Sequence, residues 1–312
     1  MGASNDLAPW ASDIQSKNGK LEVTLRRGLD ANGVLSLLKT QDVSSVRGLK
    51  VPGSVGLSGL RTLVTSKRFK TITSISLSGF ADPDDAIDVV FEAEAMKKLR
   101  ILKVWGVSDA IDMRLARGDF VKTLRQLEIR NAPELSSLDR FFASKRAESL
   151  RFLTINGSSL SDASTLFDNQ SLTNLAGLSL AKCALDADSI GSLGLCKRLV
   201  TLKKLNLSYN GTEEEFAVAI QKLLRSNFLE NLEQLILCGC ELEGFDWERV
   251  KFPNLRKLDL RDNTLEFDEF AEIVEAPGLP KLTQLIVSSP EGAVPNRYDK
   301  RISIDDRRPP WA

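Results

Sequence analysis

A chain of 312 residues that is 42% hydrophobic has enough apolar material for one extended domain or two ordinary ones. Lys plus Arg equals Asp plus Glu at 42 each, so the formal net charge is zero and the overall basic excess typical of nucleic-acid binders is missing. There is no histidine, which removes Ser-His-Asp and Cys-His nucleophile arrangements and the commonest metal ligand.

Four cysteines would have to fill a zinc site alone, and the closest two, Cys238 and Cys240, lack the two-residue spacing of a zinc knuckle. The N-terminus has neither a basic start nor an apolar run, so no secretory signal is read, and Asp6 breaks the myristoylation pattern. No apolar stretch approaches the roughly 20 residues of a membrane helix. Cysteines without a signal peptide point to free thiols in a reducing, intracellular (cytoplasmic) compartment. No cofactor, metal or small-molecule ligand is expected.

In chain order, residues 1–19 come first, with Leu7, Trp10 and Ile14 predicted to form a cap. From Lys20 one pattern, L-x-x-L-x-L-x-x-(N/C/small), then recurs. Its copies are KLEVTLRRG from Lys20, VRGLKVPGS from Val46, ITSISLSGF from Ile72, LRILKVWGV from Leu99, LRQLEIRNA from Leu124 and LRFLTINGS from Leu150. They continue with LAGLSLAKC from Leu175, LKKLNLSYN from Leu202, LEQLILCGC from Leu232, LRKLDLRDN from Leu255 and LTQLIVSSP from Leu282. Eleven copies at a mean spacing of about 26 residues are a repeat architecture.

Each copy reads as a short strand whose fourth and sixth side chains point inward. The first position and the apolar residue two beyond the ninth, such as Leu185, Leu242 and Leu265, close the corners. At the ninth position Asn210 and Asn263 are suited to bond backbone groups of the bend, with Cys183 and Cys240 as small buried equivalents. Cys238, two positions earlier on the other strand face, is predicted to be the more exposed thiol, and Cys196 lies in a connecting segment.

The return segments carry helix signals. Asp82-Pro83 is a cap followed by Ile87, Val90 and Phe91 at helical spacing. Thr212 to Glu215 is a capping box followed by Phe216, Ile220, Leu223 and Leu224, and Phe270, Ile273 and Val274 repeat the pattern. Between Cys183 and Leu202 a short helix weakened by Gly191 and Gly194 is expected. Residues 290–312 break the repeat. With Ile302 and Ile304 alternating they read as a closing cap, the alternative being a docking peptide of Arg307, Arg308 and Trp311.

These motifs resemble the leucine-rich-repeat superfamily over about residues 20–290, and are most similar to its intracellular ribonuclease-inhibitor-like and cysteine-containing types. The resemblance implies an α/β fold: a curved solenoid with a parallel β-sheet on the concave face and helices or irregular segments on the convex face. The domains follow as an N-terminal cap at 1–19, a solenoid of about eleven repeats at 20–289 and a C-terminal cap or tail at 290–312. Such a fold does not determine a function.

Function has to come from the third, fifth and seventh positions, which project from the open side of the sheet. The copies from 99, 124 and 150 place Lys103, Trp105, Glu128, Arg130, Phe152 and Asn156 on adjacent strands about 4.8 Å apart. Trp, Arg and Phe together have the composition of a binding hot spot. The alternative is that Trp105 stacks on Arg130 as a local cation–π pair. A second cluster is Tyr209, Ile236, Cys238 and Ile286. The carboxylate pairs Asp84-Asp85 and Glu213 to Glu215 fall at helix starts, where capping accounts for them. The chain therefore reads as a non-catalytic protein–protein interaction module or scaffold. The alternatives are a regulator of a small GTPase, a substrate-recruiting subunit of a ubiquitin ligase or a bacterial effector. Neither nucleic acid nor membrane is an expected partner.

Overall fold

The computed structural model describes residues 7–307 except 134, 161–162, 169–171, 212–213, 243–244 and 290–298. Thr212 and Glu213 of the predicted capping box, and Arg308 and Trp311 of the tail, lie outside the described residues.

Each motif copy forms one strand. They are β2 (Lys20–Leu25), β3 (Val46–Pro52), β4 (Ser74–Ser78), β5 (Ile101–Trp105), β6 (Gln126–Ala132) and β7 (Phe152–Ser158), then β8 (Gly177–Ser179), β9 (Lys204–Asn206), β10 (Gln234–Ile236), β11 (Lys257–Asp259) and β12 (Gln284–Val287). Two more strands flank them, β1 (Ala11–Lys17) and β13 (Ile302–Ile304). All thirteen make a single sheet in sequence order, unclosed. β1 pairs antiparallel with β2, and every later neighbour pairs in parallel. Sequential order is the consequence of equal repeats, because each coil brings the chain back beside the strand it left.

The alternating apolar residues supply the interior. Leu102 and Val104, Leu127 and Ile129, and Leu153 and Ile155 are each at most 1% exposed, and one buried cluster runs from Leu7 to Ile302. The strand direction then turns at the ninth position through an amide bridge. The Asn263 amide donates to Leu237 O and Leu260 O at 2.8 Å each and accepts from Cys240 N at 2.9 Å. Asn210 does the same two coils earlier, with Leu180 O at 2.7 Å, Leu207 O at 2.6 Å and Cys183 N at 2.8 Å. Cys183, at that position in its own repeat, donates its thiol to Ile155 O at 2.8 Å. Leu185, Leu242 and Leu265 close the corners and are buried.

On the return side the helices are α1 (Ala31–Thr40), α2 (Gly56–Thr65), α3 (Pro83–Glu92), α4 (Ala110–Arg117), α5 (Asp139–Ala143), α6 (Ser164–Asp168), α7 (Ala187–Leu195), α8 (Glu214–Leu224) and α9 (Phe267–Glu275). Asp82 caps α3 by accepting from Asp85 N at 3.0 Å, and Pro83 stands in the first turn. Despite its two glycines α7 runs for nine residues. Asp186 caps it through Ser189 N at 2.8 Å, and Gly194 packs against Leu223 of α8. The shortest spacing between copies, from Leu232 to Leu255, leaves no room for an α-helix; Trp247–Arg249 makes a single 3-10 turn, with Trp247 buried beside Phe245. No helix among the described residues is long and apolar enough to cross a membrane.

At the N-terminal end, Leu7 and Ala11 enter the core, with Trp10 and Ile14 packed against it. At the C-terminal end, β13 adds one further parallel strand beyond the last motif copy.

Candidate functional site

Parallel pairing in register stacks equivalent repeat positions into rows. One row runs Lys103, Glu128, Thr154, Ser179, Asn206, Ile236, Asp259, Ile286, and another places Trp105 beside Arg130 and Asn156. Glu128 stands between two cations, with Lys103 Nζ at 2.9 Å and Arg130 Nε at 2.5 Å. Its side chain is only 7% exposed. Burial by itself would raise its pKa, but the bonds and charges of Lys103 and Arg130 outweigh that and hold the carboxyl below the usual value.

Trp105 is half-buried. Among the described residues no cation–π contact joins it to Arg130; such contacts occur at Lys182 over Tyr209 and Lys197 over Phe228. The Arg130 guanidinium is instead turned toward Glu128 on its own strand. Asn156 is 6% exposed, not open as a strand-face position suggests. Its Oδ1 accepts from Ser179 Oγ at 2.9 Å and Ala181 N at 3.2 Å, so its amide ties β7 to β8.

Phe152 is 44% exposed. Its ring lies along the next strand, where a Cβ on Gly177 would meet Phe152 Cδ1 at 2.8 Å. A shallow depression of about 220 Å3 opens beside the ring, lined by Phe152, Gly177, Lys204, Gln234 and Ile236 among others. Ile236, assigned from sequence to the C-terminal cluster, thus joins Phe152. Gly177, Lys204 and Gln234 were missed, although a glycine at the third position of a repeat beside an aromatic at the same position is a readable signal.

The second cluster does not form a common surface. Tyr209 lies past the end of β9 with φ of 57°, its ring where a Cβ on Gly239 would be. Its hydroxyl donates to the Asp262 carboxylate, and Lys182 stands over its ring at 5.3 Å. Burial and the Asp262 charge push its phenol pKa up. Ile286 is 7% exposed.

The expectation of an exposed Cys238 is overturned, since Cys238 is fully buried. The reason is a polar network that closes over it. The thiol donates to Asp259 Oδ1 at 3.2 Å, and Arg261 clamps that carboxylate with Nε to Oδ1 at 2.9 Å and Nη2 to Oδ2 at 2.7 Å. Arg261 Nη1 in turn donates to Arg307 O at 2.8 Å, so the chain after β13 lies against this end of the face. Burial and the Asp259 charge push the Cys238 thiol well above its ordinary range.

No protein-family model matches the sequence, and no curated protein matches it either. Solved structures do. A TLR13–ssRNA13 complex is similar at 21% identity and a TM-score of 0.50, over 80% of this chain and 37% of that one. The yeast Rad7–Elc1 complex is similar at 16% identity and a TM-score of 0.49, over 93% of this chain and 79% of that one. The internalin inlF of Listeria monocytogenes str. 4b F2365 is similar at 18% identity and a TM-score of 0.36, over 86% of each chain. This chain spans about two-fifths of the length of the first of these. The repeat, the sequentially ordered parallel sheet and the first likeness define the class: the chain is a leucine-rich-repeat solenoid of α/β type.

Proposed function

We propose that the chain is a non-catalytic, intracellular protein-binding module. On this reading it seats a protein partner on the open side of the parallel sheet and uses the depression between Phe152 and Ile236 as its anchor pocket. The observation that carries the reading is Phe152, a large apolar side chain 44% exposed at the edge of a depression of about 220 Å3. A partner's apolar side chain entering that space would gain about 25 cal/mol for each Å2 it removes from water. Trp105, Lys103 and Arg130 lie two and one strands away, the residue types that surround such anchors.

The charges of the face support binding over catalysis. Glu128 is held by Lys103 and Arg130, Asp259 by Arg261, and the Cys238 thiol is buried, so these groups are compensated in place. Four buried, unpaired thiols fit a reducing compartment.

The test is a photo-crosslinking residue, p-benzoylphenylalanine, placed at position 152 and, separately, at exposed Val218 on α8, in extract of the source cells. A discrete protein adduct at 152 and none at 218 is expected. The double variant W105A/F152A should then weaken affinity for that adduct protein by about 2 kcal/mol or more. Equal labelling at both positions, or unchanged affinity in the double variant, refutes the reading.

A further inference from the structure

The second residue of each repeat sits where the chain enters its strand, and backbone hydrogen bonds stack these entry points along one edge of the sheet. Arg125 N donates to Arg100 O at 2.7 Å, and Arg151 N to Arg125 O at 2.8 Å. Three arginines thereby stand on three consecutive coils, all exposed. The segments leading into these strands, 97–100, 122–125 and 145–151, hold eight Lys or Arg and one carboxylate, Glu148. They stack as well, since Arg146 Nε donates to Gly118 O at 3.1 Å and Ser149 Oγ to Leu124 O at 2.6 Å.

The ion pairs of these segments are Lys97–Glu94, Lys122–Asp119 and Arg146–Asp119. Among the described residues none involves Arg100, Arg125, Arg151, Lys98 or Lys145. Arg125 and Arg151 each give one Nη1–H to a carbonyl of the next coil, Ser149 O at 2.9 Å and Asn174 O at 3.2 Å. Those bonds orient the guanidinium and leave its charge without a counter-charge. At the opposite edge the helices begin, and their first turns carry Asp84 and Asp85 in α3, Asp112 in α4 and Asp139 in α5. There Asp84 is paired with Arg114 and the buried Asp112 with Arg140, whereas Arg100, Arg125 and Arg151 have no such counter-charge among the described residues.

We propose that this basic edge binds the phosphate backbone of a nucleic acid, without preference for sequence. The proposal goes beyond the protein-binding reading and does not rest on it. A row of cations about 4.8 Å apart suits a polymer that carries one charge per unit. Each oriented guanidinium keeps a free fork of N–H donors, the geometry that meets phosphate in pairs. Protein–protein interfaces are enriched in aromatic residues as well as arginine and depleted in lysine, whereas nucleic-acid interfaces are strongly cationic throughout. The three segments are Lys-rich and hold no aromatic residue. Without an aromatic platform in them the contact is with phosphates and not with stacked bases.

The experiment is fluorescence anisotropy of a fluorescein-labelled single-stranded RNA of ~20 nucleotides of mixed sequence, titrated with the full chain between about 50 and 200 mM salt. Three phosphate contacts predict a slope of log affinity against log salt of about −2, at roughly −0.7 per contact on a single strand. The triple variant R100E/R125E/R151E should lose at least about tenfold in affinity and flatten that slope. Should its circular dichroism show misfolding, R100Q/R125Q/R151Q carries the same test. Absent or salt-independent binding, or unchanged affinity in the folded variant, overturns the proposal. So does equal retention of a poly-glutamate peptide or of phosphatidylserine vesicles, which would assign the edge to an acidic protein or a membrane.

Discussion

Replacing Asn263 with Ala removes the amide that bridges two turns of the solenoid. Three bonds of 2.8 to 2.9 Å disappear together: the two donations to Leu237 O and Leu260 O and the acceptance from Cys240 N. A hydrogen bond contributes about 1 kcal/mol net, and a buried group left without a partner costs about 1–3 kcal/mol. Cys240 is 1% exposed and Leu237 and Leu260 are 0% exposed, so water has little access to the orphaned groups. The expected loss is therefore about 3 kcal/mol in unfolding free energy, read from urea denaturation followed by circular dichroism. Asn263→Asp sharpens the test. It keeps an acceptor for Cys240 N but points a second oxygen at two carbonyl oxygens, so at neutral pH it should destabilise at least as much as Ala. Acidification, by protonating that oxygen, should restore part of the loss. A change under about 1 kcal/mol for Asn263→Ala, or an Asp variant as stable as the parent, would refute the bridging role.

Two further outcomes follow from the charges and thiols. The Glu128 carboxyl titrates below the ordinary glutamate value of 4.5, so its stabilisation is complete above that pH and is lost as pH falls through the lower, folded-state value. Glu128→Gln should therefore be less stable than the parent at neutral pH, and the gap measured by urea titration should close on acidification below 4.5; a gap independent of pH contradicts the pairing with Lys103 and Arg130. Burial pushes the thiols of Cys183 and Cys240 up to about 12, and Cys238 higher still. Ellman's reagent should label none of these three rapidly in the folded chain and all of them in denaturant, and fast native labelling of Cys238 would contradict its enclosure by Asp259 and Arg261.

The interior was legible because its cause is local. Leu127 and Ile129 alternate on one strand, and alternation alone sends both inward whatever lies elsewhere. The ninth-position asparagines were legible for a similar reason: an amide has donors and an acceptor for a bend that each repeat must make. The open face was less so. Third, fifth and seventh positions were assigned to it by alternation alone, but their exposure depends on side chains about 26 residues away. Asn156 is covered because Ser179 and Ala181 bind its oxygen, and Cys238 because Arg261 reaches over Asp259. Phe152 and Ile236, three strands apart, come to line one depression only because strands β7 to β10 pair in register.

What the sequence by itself determined is the coil: a strand, an amide-bridged bend and a return, repeated, with leucine facing leucine. Period and alternation are properties of consecutive residues, and backbone geometry converts them into structure directly. What only the tertiary structure decided is how the coils' outer residues meet. Net charge is a sum that ignores position, and it is zero. Stacking the coils in register sets Arg100, Arg125 and Arg151 side by side on one edge and the helix-capping carboxylates on the other. Electrostatic energy depends on the distances between charges, and those distances come into being only when the repeats stack.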